Sequence, residues 1–455
     1  MAISKSSTRE PTEPSTIALD HKSGFPMIVT AATTLEQSAR RRIALRLLPF
    51  LWLLYVIAFL DRVNVAYGAL QMSQDLRFSD RVFGLGAGIF FVGYVLLEIP
   101  GAIIVERWSA RRWIARIMIS WGIISAMVGF VNTSRQFYTV RFLLGAAEAG
   151  FFPGLVVYLS HWFTRRDLAK ALALFFAALP IANFIGAPLA GRMLRIHWYG
   201  FEGWRWLFIL EGVPAVILGI ITIFYLTDWP TQARWLLPEE REWITNELHR
   251  EKREKIAVRS YTILQALGHR DVLILTVAYF LSVTGYYGFV MWFPTILKRG
   301  SGFSVPVVTL LAAIPYAAAL LANLANGWHS DRTQERRWHT ASVLFGGSVS
   351  LLLAIVFGSH FFLQLGFFTV FAACVHSFQP TFWALPTLTL GESAAAAAIG
   401  LINSLGNLGG FVGPFIVGYL VTRTGSFTSG LAWLLLSLLL AGFLVLRLPS
   451  RTRTS

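Results

Sequence analysis

Charge and cysteine are what this sequence has least of. Only 14% of its 455 residues are Asp, Glu, Lys or Arg, where a soluble domain carries about a quarter. A water-soluble enzyme of this length is thereby excluded. The single Cys374 allows no internal disulfide, and its apolar neighbours make it a packing residue. Also missing are a metal-spaced histidine cluster, a nucleophile beside a base and a glycine-rich phosphate loop at a helix start. Those absences argue against catalysis and against any metal or organic cofactor. The apolar segments are too long for the strands of a large transmembrane barrel, which alternate and run to only about ten residues.

Apolar residues are abundant instead. They make up 55% of the chain, the mean hydropathy is +0.59, and they gather into runs of about twenty residues, enough to cross a bilayer. The pattern predicts an all-α membrane protein of twelve spans. The first six lie near 47–69, 82–105, 113–131, 136–159, 171–194 and 204–226, and the second six near 271–296, 305–328, 339–358, 361–385, 394–421 and 427–447. Residues 1–45, rich in Ser, Thr, Pro and Glu, read as a disordered tail. Residues 46–226 and 271–447 form two six-helix bundles, joined by a central loop over 227–270 and followed by a short tail at 448–455. Within the loop, 238–255 reads as a mixed-charge helix.

The formal net charge of +15 would suggest nucleic acid in a soluble protein. Here it is an orientation signal. With the amino terminus in the cytosol, inside segments hold 27 of the 39 Lys and Arg and outside loops hold 9, with Arg62, Arg116 and Arg141 inside spans. The positive-inside rule then puts both termini in the cytosol of a multi-pass plasma-membrane protein, the inner membrane of a bacterium. No nucleic-acid partner is expected.

The loop after span 2 reads Glu106-Arg107-x-x-x-Arg111-Arg112, and the loop after span 8 reads Asp331-Arg332-x-x-x-Arg336-Arg337, in register at an offset of 225. Near the same offset, Gly186-Ala-Pro188 in span 5 meets Gly413-Pro414 in span 11. Basic loops recur in many membrane proteins, but the shared spacing indicates an internal repeat, two bundles related by a pseudo-twofold axis.

A charged side chain at mid-bilayer costs roughly 2.5–3.5 kcal/mol on insertion scales, so such residues usually face a polar cavity. Span 1 carries Asp61 and Arg62, and span 4 carries Arg141 and Glu148. Arg141 and Glu148, seven residues apart, share one helix face about 10 Å apart along the axis. These four could be structural ion pairs, although buried pairs contribute weakly to stability. The functional alternative divides the work. Arginine stays charged and presents a planar fork to a carboxylate. Acids in a partly desolvated cavity take up and release protons near neutral pH. Fixed positive charge beside titratable acids is the chemistry of a proton-coupled carrier of organic anions.

Six plus six helices with the doubled loop motif resemble the major facilitator superfamily over residues 45–447. Further motifs narrow the likeness: Asp61-Arg-Val-Asn64, Arg141-Phe-Leu-Leu-Gly-Ala-Ala-Glu148, Gly203-Trp-Arg-Trp through Glu211, Asp228-Trp-Pro-Thr-Gln-Ala-Arg-Trp235, Phe382-Trp-Ala-Leu-Pro-Thr387 and Asn403-Ser-Leu-Gly-Asn. Together they look like the anion:cation symporter family, whose members import galactonate, hexuronates, glucarate, tartrate, phthalate and similar acids. The resemblance implies alternating access, with protons rather than sodium coupled through Asp61 and Glu148. Arg62, Tyr94, Arg141, Trp383 and Asn403 would serve the substrate, Arg141 as support for the coupling network. Glu106, Arg107, Arg111, Asp331 and Arg332 would form the cytosolic gate, closed when the carrier faces outward. Where galactonate-type members have a tyrosine shortly before the aspartate and a glutamine in span 5, this chain has Phe59 and no glutamine, a less polar wall. A monomer is expected, with a small organic acid, protons and the bilayer as its partners.

Tyr286 and Tyr287 read equally as packing or as hydroxyls for a substrate, His376 as a histidine bonded to a neighbouring carbonyl, and Glu211 as the partner of an arginine. The rival reading is a superfamily carrier of another substrate class, or an exporter of drugs or metabolites. Exporters of cations need net negative charge in the cavity, whereas Arg62 and Arg141 balance Asp61 and Glu148.

Overall fold

The computed structural model describes residues 27–256, 268–390 and 392–449, all-helical with no strand among them. Helices Met27–Asp75, Asp80–Arg107, Ala110–Val128, Ser134–Glu148 with Phe151–Ser160, Arg165–Met193 and Gly203–Tyr225 form spans 1 to 6. Spans 7 to 12 are Arg270–Ser301, Val305–Thr333, Arg337–Val356, Phe361–Phe382 with Leu385–Leu390, Glu392–Asn407 with Gly409–Thr424, and Phe427–Leu446. Eleven of the twelve are long and apolar enough to cross a membrane on their own. The third, Ala110–Val128, opens on Arg111 and Arg112 and carries Arg116 one turn later. It is spanning by its place in the bundle, where Trp113, Ile117 and Trp121 are buried.

One expectation is corrected at the amino end. Helix begins at Met27, not after residue 45. The segment Leu-Glu-Gln-Ser-Ala is made of good helix formers, and Arg40 pairs with Glu36 one turn away. Ala39 is buried, and Ser38 donates to Glu240 at 2.7 Å while Arg42 pairs with the same carboxylate at 3.4 Å. The extension is therefore fastened to the central helix Pro238–Ile256, which matches the mixed-charge segment read from the sequence. Residues 1–26, 257–267 and 450–455 lie outside the described residues, so the tail and loop readings there have no structural counterpart.

Among the described residues, the two halves meet closely at the end of the bundle away from the chain termini. Span 2 runs antiparallel to span 11 so tightly that a Cβ on Gly84 would stand 2.6 Å from the Pro414 carbonyl oxygen, and one on Gly88 2.7 Å from that of Phe411. Only glycine permits this approach. The Arg81 amide donates to Thr422 at 3.0 Å, and Arg299 of span 7 makes an ion pair with Asp80. On the opposite flank the Thr309 side chain of span 8 fills the space at Gly191 of span 5.

At the terminal end the loop motifs bond within their own halves. The Arg111 amide donates to Asp228 at 3.0 Å, and its guanidinium reaches the Ile223 carbonyl at 3.3 Å. Asp331 pairs with Arg336, and Arg332 lies over the Trp328 ring at 5.6 Å. The side chains of Glu106 and Arg107 lie outside the described residues.

Candidate functional site

Halfway along the bundle, between the halves, a cleft is lined by Tyr55, Phe59 and Arg62 of span 1, Tyr94 of span 2, Glu148, Phe151 and Phe152 of span 4 and Leu179 of span 5. The other half adds Tyr279, Val283, Tyr286 and Tyr287 of span 7, Gln379 and Trp383 of span 10, and Asn403 and Asn407 of span 11.

Glu148 reaches the cleft because span 4 breaks there. Its helix ends at Glu148, and Gly150 takes a left-handed φ of 81° before helix resumes at Phe151. A side chain at Gly150 would also come 3.2 Å from the Gly101 Cα of span 2. The carboxylate thus sits at the carbonyl end of a helix, where negative charge is disfavoured. Arg62 offsets this. Its guanidinium donates through Nη2 to Glu148 and through Nη1 to the Tyr287 hydroxyl at 3.2 Å, so it joins span 1 to spans 4 and 7 and touches both halves. The rings of Phe59, Tyr94 and Phe90 surround it at 4.9, 5.2 and 5.5 Å, a cation–π setting that holds the charge without neutralising it.

The other two expected charges lie behind the cleft wall. Asp61 points away from Arg62 and accepts from Trp121 Nε1 and Ser125 Oγ of span 3 and, at 2.9 Å, from Asn64. Arg141 is fully buried and does not line the cleft. It donates to the Gly86 and Ala87 carbonyls of span 2 at 3.3 and 3.5 Å, stacks on Phe90 at 5.0 Å, and stays within electrostatic range of Asp61 and Glu148. The structure therefore places Arg141 behind the cleft wall, within electrostatic range of the charged residues and away from the surface that lines the cleft.

Tyr94, Trp383 and Asn403 all line the cleft. Trp383 donates to Gln379 at 3.1 Å and packs edge-on against Tyr279 at 4.8 Å. Asn403 donates across the halves to Glu98, as does Ser404 at 3.0 Å. His376 bonds through Nδ1 to the Ala372 carbonyl at 2.8 Å, as read from the sequence. Glu211 lies beside Asn64 and Asp61 and makes no ion pair with an arginine among the described residues. Its neighbours are an amide and a second acid because span 6 turns it toward span 1, and one of its oxygens is buried without a partner.

Sequence reasoning missed Tyr55, Tyr279, Gln379, Asn407 and Glu98. Gln379 and Glu98 carried a signal, a polar side chain inside an apolar run. The tyrosines carried none that separates a binding ring from a packing ring.

The geometry can be set beside known proteins. The sequence model of the Major Facilitator Superfamily matches residues 51–414 and 275–455. A protein of Agrobacterium vitis described as "Putative tartrate transporter" is 44% identical over 419 residues, which is 92% of this chain and 96% of that protein. The "Quinolone resistance transporter" of Acinetobacter baumannii is 37% identical over 400 residues, 88% of this chain and 92% of that one. A bacterial homologue of the human lysosomal transporter Spinster shares the fold, with a TM-score of 0.68 over 90% of this chain and 95% of that one at 17% identity. Both the relatives and the fold are those of transporters, not enzymes. The match spans both bundles and the cleft between them, and the chain belongs to the major facilitator superfamily.

Proposed function

We propose that this transporter imports an organic anion, a sugar acid or a dicarboxylate such as tartrate, a hexuronate or glucarate, by proton symport with alternating access. The observation that carries the reading is Arg62, a fixed cation in the central cleft whose partners are one titratable acid and one hydroxyl from the opposite half. A substrate carboxylate offers the same two-oxygen geometry as Glu148. Protonating Glu148 ends its claim on the guanidinium, and the incoming carboxylate then takes its place. Proton and anion thus enter together because either alone leaves an unbalanced charge in the cleft. Asp61 would join the coupling from behind the wall, through its contacts to span 3 and its place beside Arg62. Two acids allow up to two protons, and each uncompensated charge moved inward gains about 2.3 kcal/mol per 100 mV.

The positive-inside bias supports cytosolic termini in a bacterial inner membrane. The closed end of the bundle then faces outward, and the cleft faces the cytosol. The Agrobacterium relative's name supports tartrate as the first substrate to try.

Export is the second reading, favoured by the Acinetobacter relative's name. Quinolones are themselves carboxylates, so Arg62 suits either cargo and direction must separate them. Purified protein in proteoliposomes, with an inward proton gradient and labelled tartrate, glucarate or galacturonate outside, should accumulate one of these acids above its external level. A protonophore should abolish the accumulation. Proton-driven quinolone extrusion without uptake of any acid would overturn import.

A further inference from the structure

Glu98 is a buried carboxylate, 3% exposed, that none of the roles above employs. It stands on span 2 one helical turn beyond Tyr94, toward the end of the bundle that carries the termini. Both of its oxygens are taken by span 11: Oε1 accepts from the Asn403 amide, and Oε2 accepts from the Ser404 hydroxyl at 3.0 Å. The contact joins the two halves, and among the described residues it is the last of a ladder between these helices that begins at Asp80 and passes through Gly84, Gly88 and the Phe91–Gly410 contact. No Lys, Arg or His among the described residues pairs with Glu98. The charged and titratable groups that face it are Arg62 of span 1, Tyr94 of its own helix and Tyr279 of span 7. Arg62 is committed to Glu148 and Tyr287.

Asn403 belongs to two sites at once. It lines the cleft, and it holds Glu98. A neutral amide and a hydroxyl presented side by side form a cradle for a carboxylate, and in this structure a carboxylate of the protein occupies it. We propose that Glu98 is a third acid of the transport site, resident on the Asn403–Ser404 donors until a carboxylate of the transported anion replaces it. The inference rests on the organic-anion reading and extends it to span 11. A dicarboxylate suits the arrangement best, with one end on Arg62 and the other on Asn403 and Ser404.

The displaced Glu98 loses both donors while a second anion arrives beside it. A buried acid without donors or a cation partner is stable only in its neutral form. Displacement therefore draws a proton from solution onto Glu98, and binding of the anion is accompanied by proton uptake at this residue. The same exchange releases the span 2–span 11 contact, so occupancy of the cleft and the hold between the halves become one equilibrium.

The test is isothermal titration of the full chain in detergent with tartrate and glucarate as probes, in buffers of different ionisation enthalpy. Glu98→Gln should take up about one proton fewer per anion bound than the wild type. An infrared difference spectrum on anion addition should show a protonated-carboxyl band in the wild type that is missing in this variant, a readout that a merely structural role would not move. Ser404→Ala, which leaves every charge in place, should lower the uptake in the same direction and keeps the proposal testable should Glu98→Gln fail to fold. Wild-type proton uptake with an unchanged infrared band in either folded variant overturns the role of Glu98 alone. Absence of binding by the wild type for either probe overturns the dicarboxylate assignment. Normal uptake of a monocarboxylate would then leave the organic-anion reading standing without it.

Discussion

The two halves share a scaffold and divide the chemistry. In the first six spans, Asp61, Glu98, Arg141, Glu148 and Glu211 are all buried acids or bases, with Arg62 nearly so. In the second six, the described residues bury no Asp, Glu, Lys or Arg. Their polar interior is made of Gln379, Asn323, the tyrosines of span 7, hydroxyls and one histidine held by a backbone carbonyl. The repeat explains why both halves present helices to one cleft. It does not explain why charge is confined to one of them. Confinement has a physical use, because carboxylates and guanidiniums can exchange partners over a few ångströms only if they are neighbours. The opposite wall then supplies neutral hydrogen bonds and ring faces, which read the shape of a substrate and titrate less readily. On the proposed mechanism, coupling belongs to the first half and neutral recognition to the second, with Arg62 serving both and Arg62–Tyr287 and Glu98–Asn403 as the bonds between them.

The strongest way to break this division is Glu148→Gln. The variant keeps the shape and loses the titration, so uphill accumulation driven by a proton gradient should vanish while binding and anion exchange persist in part. Proteoliposome uptake with and without the gradient separates these, and unchanged accumulation would remove Glu148 from coupling. Arg62→Lys should come next in size. An ammonium lacks the rigid planar fork that pairs a carboxylate through two parallel bonds, and losing a charged hydrogen bond costs about 1.5–3 kcal/mol, roughly a 10- to 150-fold weaker Kd by titration. If Arg62→Lys binds the substrate as the wild type does, the guanidinium is structural.

The same contrast explains what could be read without coordinates. Spans were legible because an apolar run of about twenty residues leaves few alternatives, and the four central charges because each interrupts such a run. Partners were not. Arg141 and Glu148 do lie on one helix, but the break at Gly150 and the carbonyls of Gly86 and Ala87 decide which of them faces the cleft. Glu98 interrupts span 2 as plainly as Asp61 interrupts span 1, yet its meaning depends on Asn403 and Ser404, more than 300 positions away. The aromatic wall is the least legible part, since a ring facing a cleft and a ring filling a core satisfy the same apolar pattern. The early start of helix at Met27 was hidden for the opposite reason. Its partner, Glu240, lies in a loop whose composition reads as solvated.

A milder perturbation acts on the scaffold and leaves the chemistry alone. A methyl group at position 84 would meet the backbone oxygen of Pro414, which has no side-chain freedom to yield. Gly84→Ala should therefore weaken closure of the far end and shift the population toward a state open there. Labelling of a cysteine placed at Arg81, whose bond to Thr422 runs through the backbone amide and survives the change, in a background lacking Cys374, should speed up several-fold with the anion's affinity for the cleft little changed. Labelling at the parental rate would mean that spans 2 and 11 do not need this approach to close.

The smallest effect tests the bond by which the second half touches the charge. Tyr287→Phe removes only the hydroxyl that accepts from Arg62 Nη1 at 3.2 Å and keeps the ring that packs against Phe91 at 4.4 Å. A hydrogen bond from a charged donor contributes about 1.5–3 kcal/mol, but Arg62 keeps its carboxylate partner, so anion affinity should change at the low end of that range, by about tenfold. The direction carries the information. If the hydroxyl orients Arg62 for a substrate, Tyr287→Phe weakens binding and leaves the number of protons per anion unchanged, as a recognition residue in an uncharged half should. If proton stoichiometry falls with it, Tyr287 belongs to the coupling network, and the boundary between the two kinds of work does not follow the boundary between the two halves.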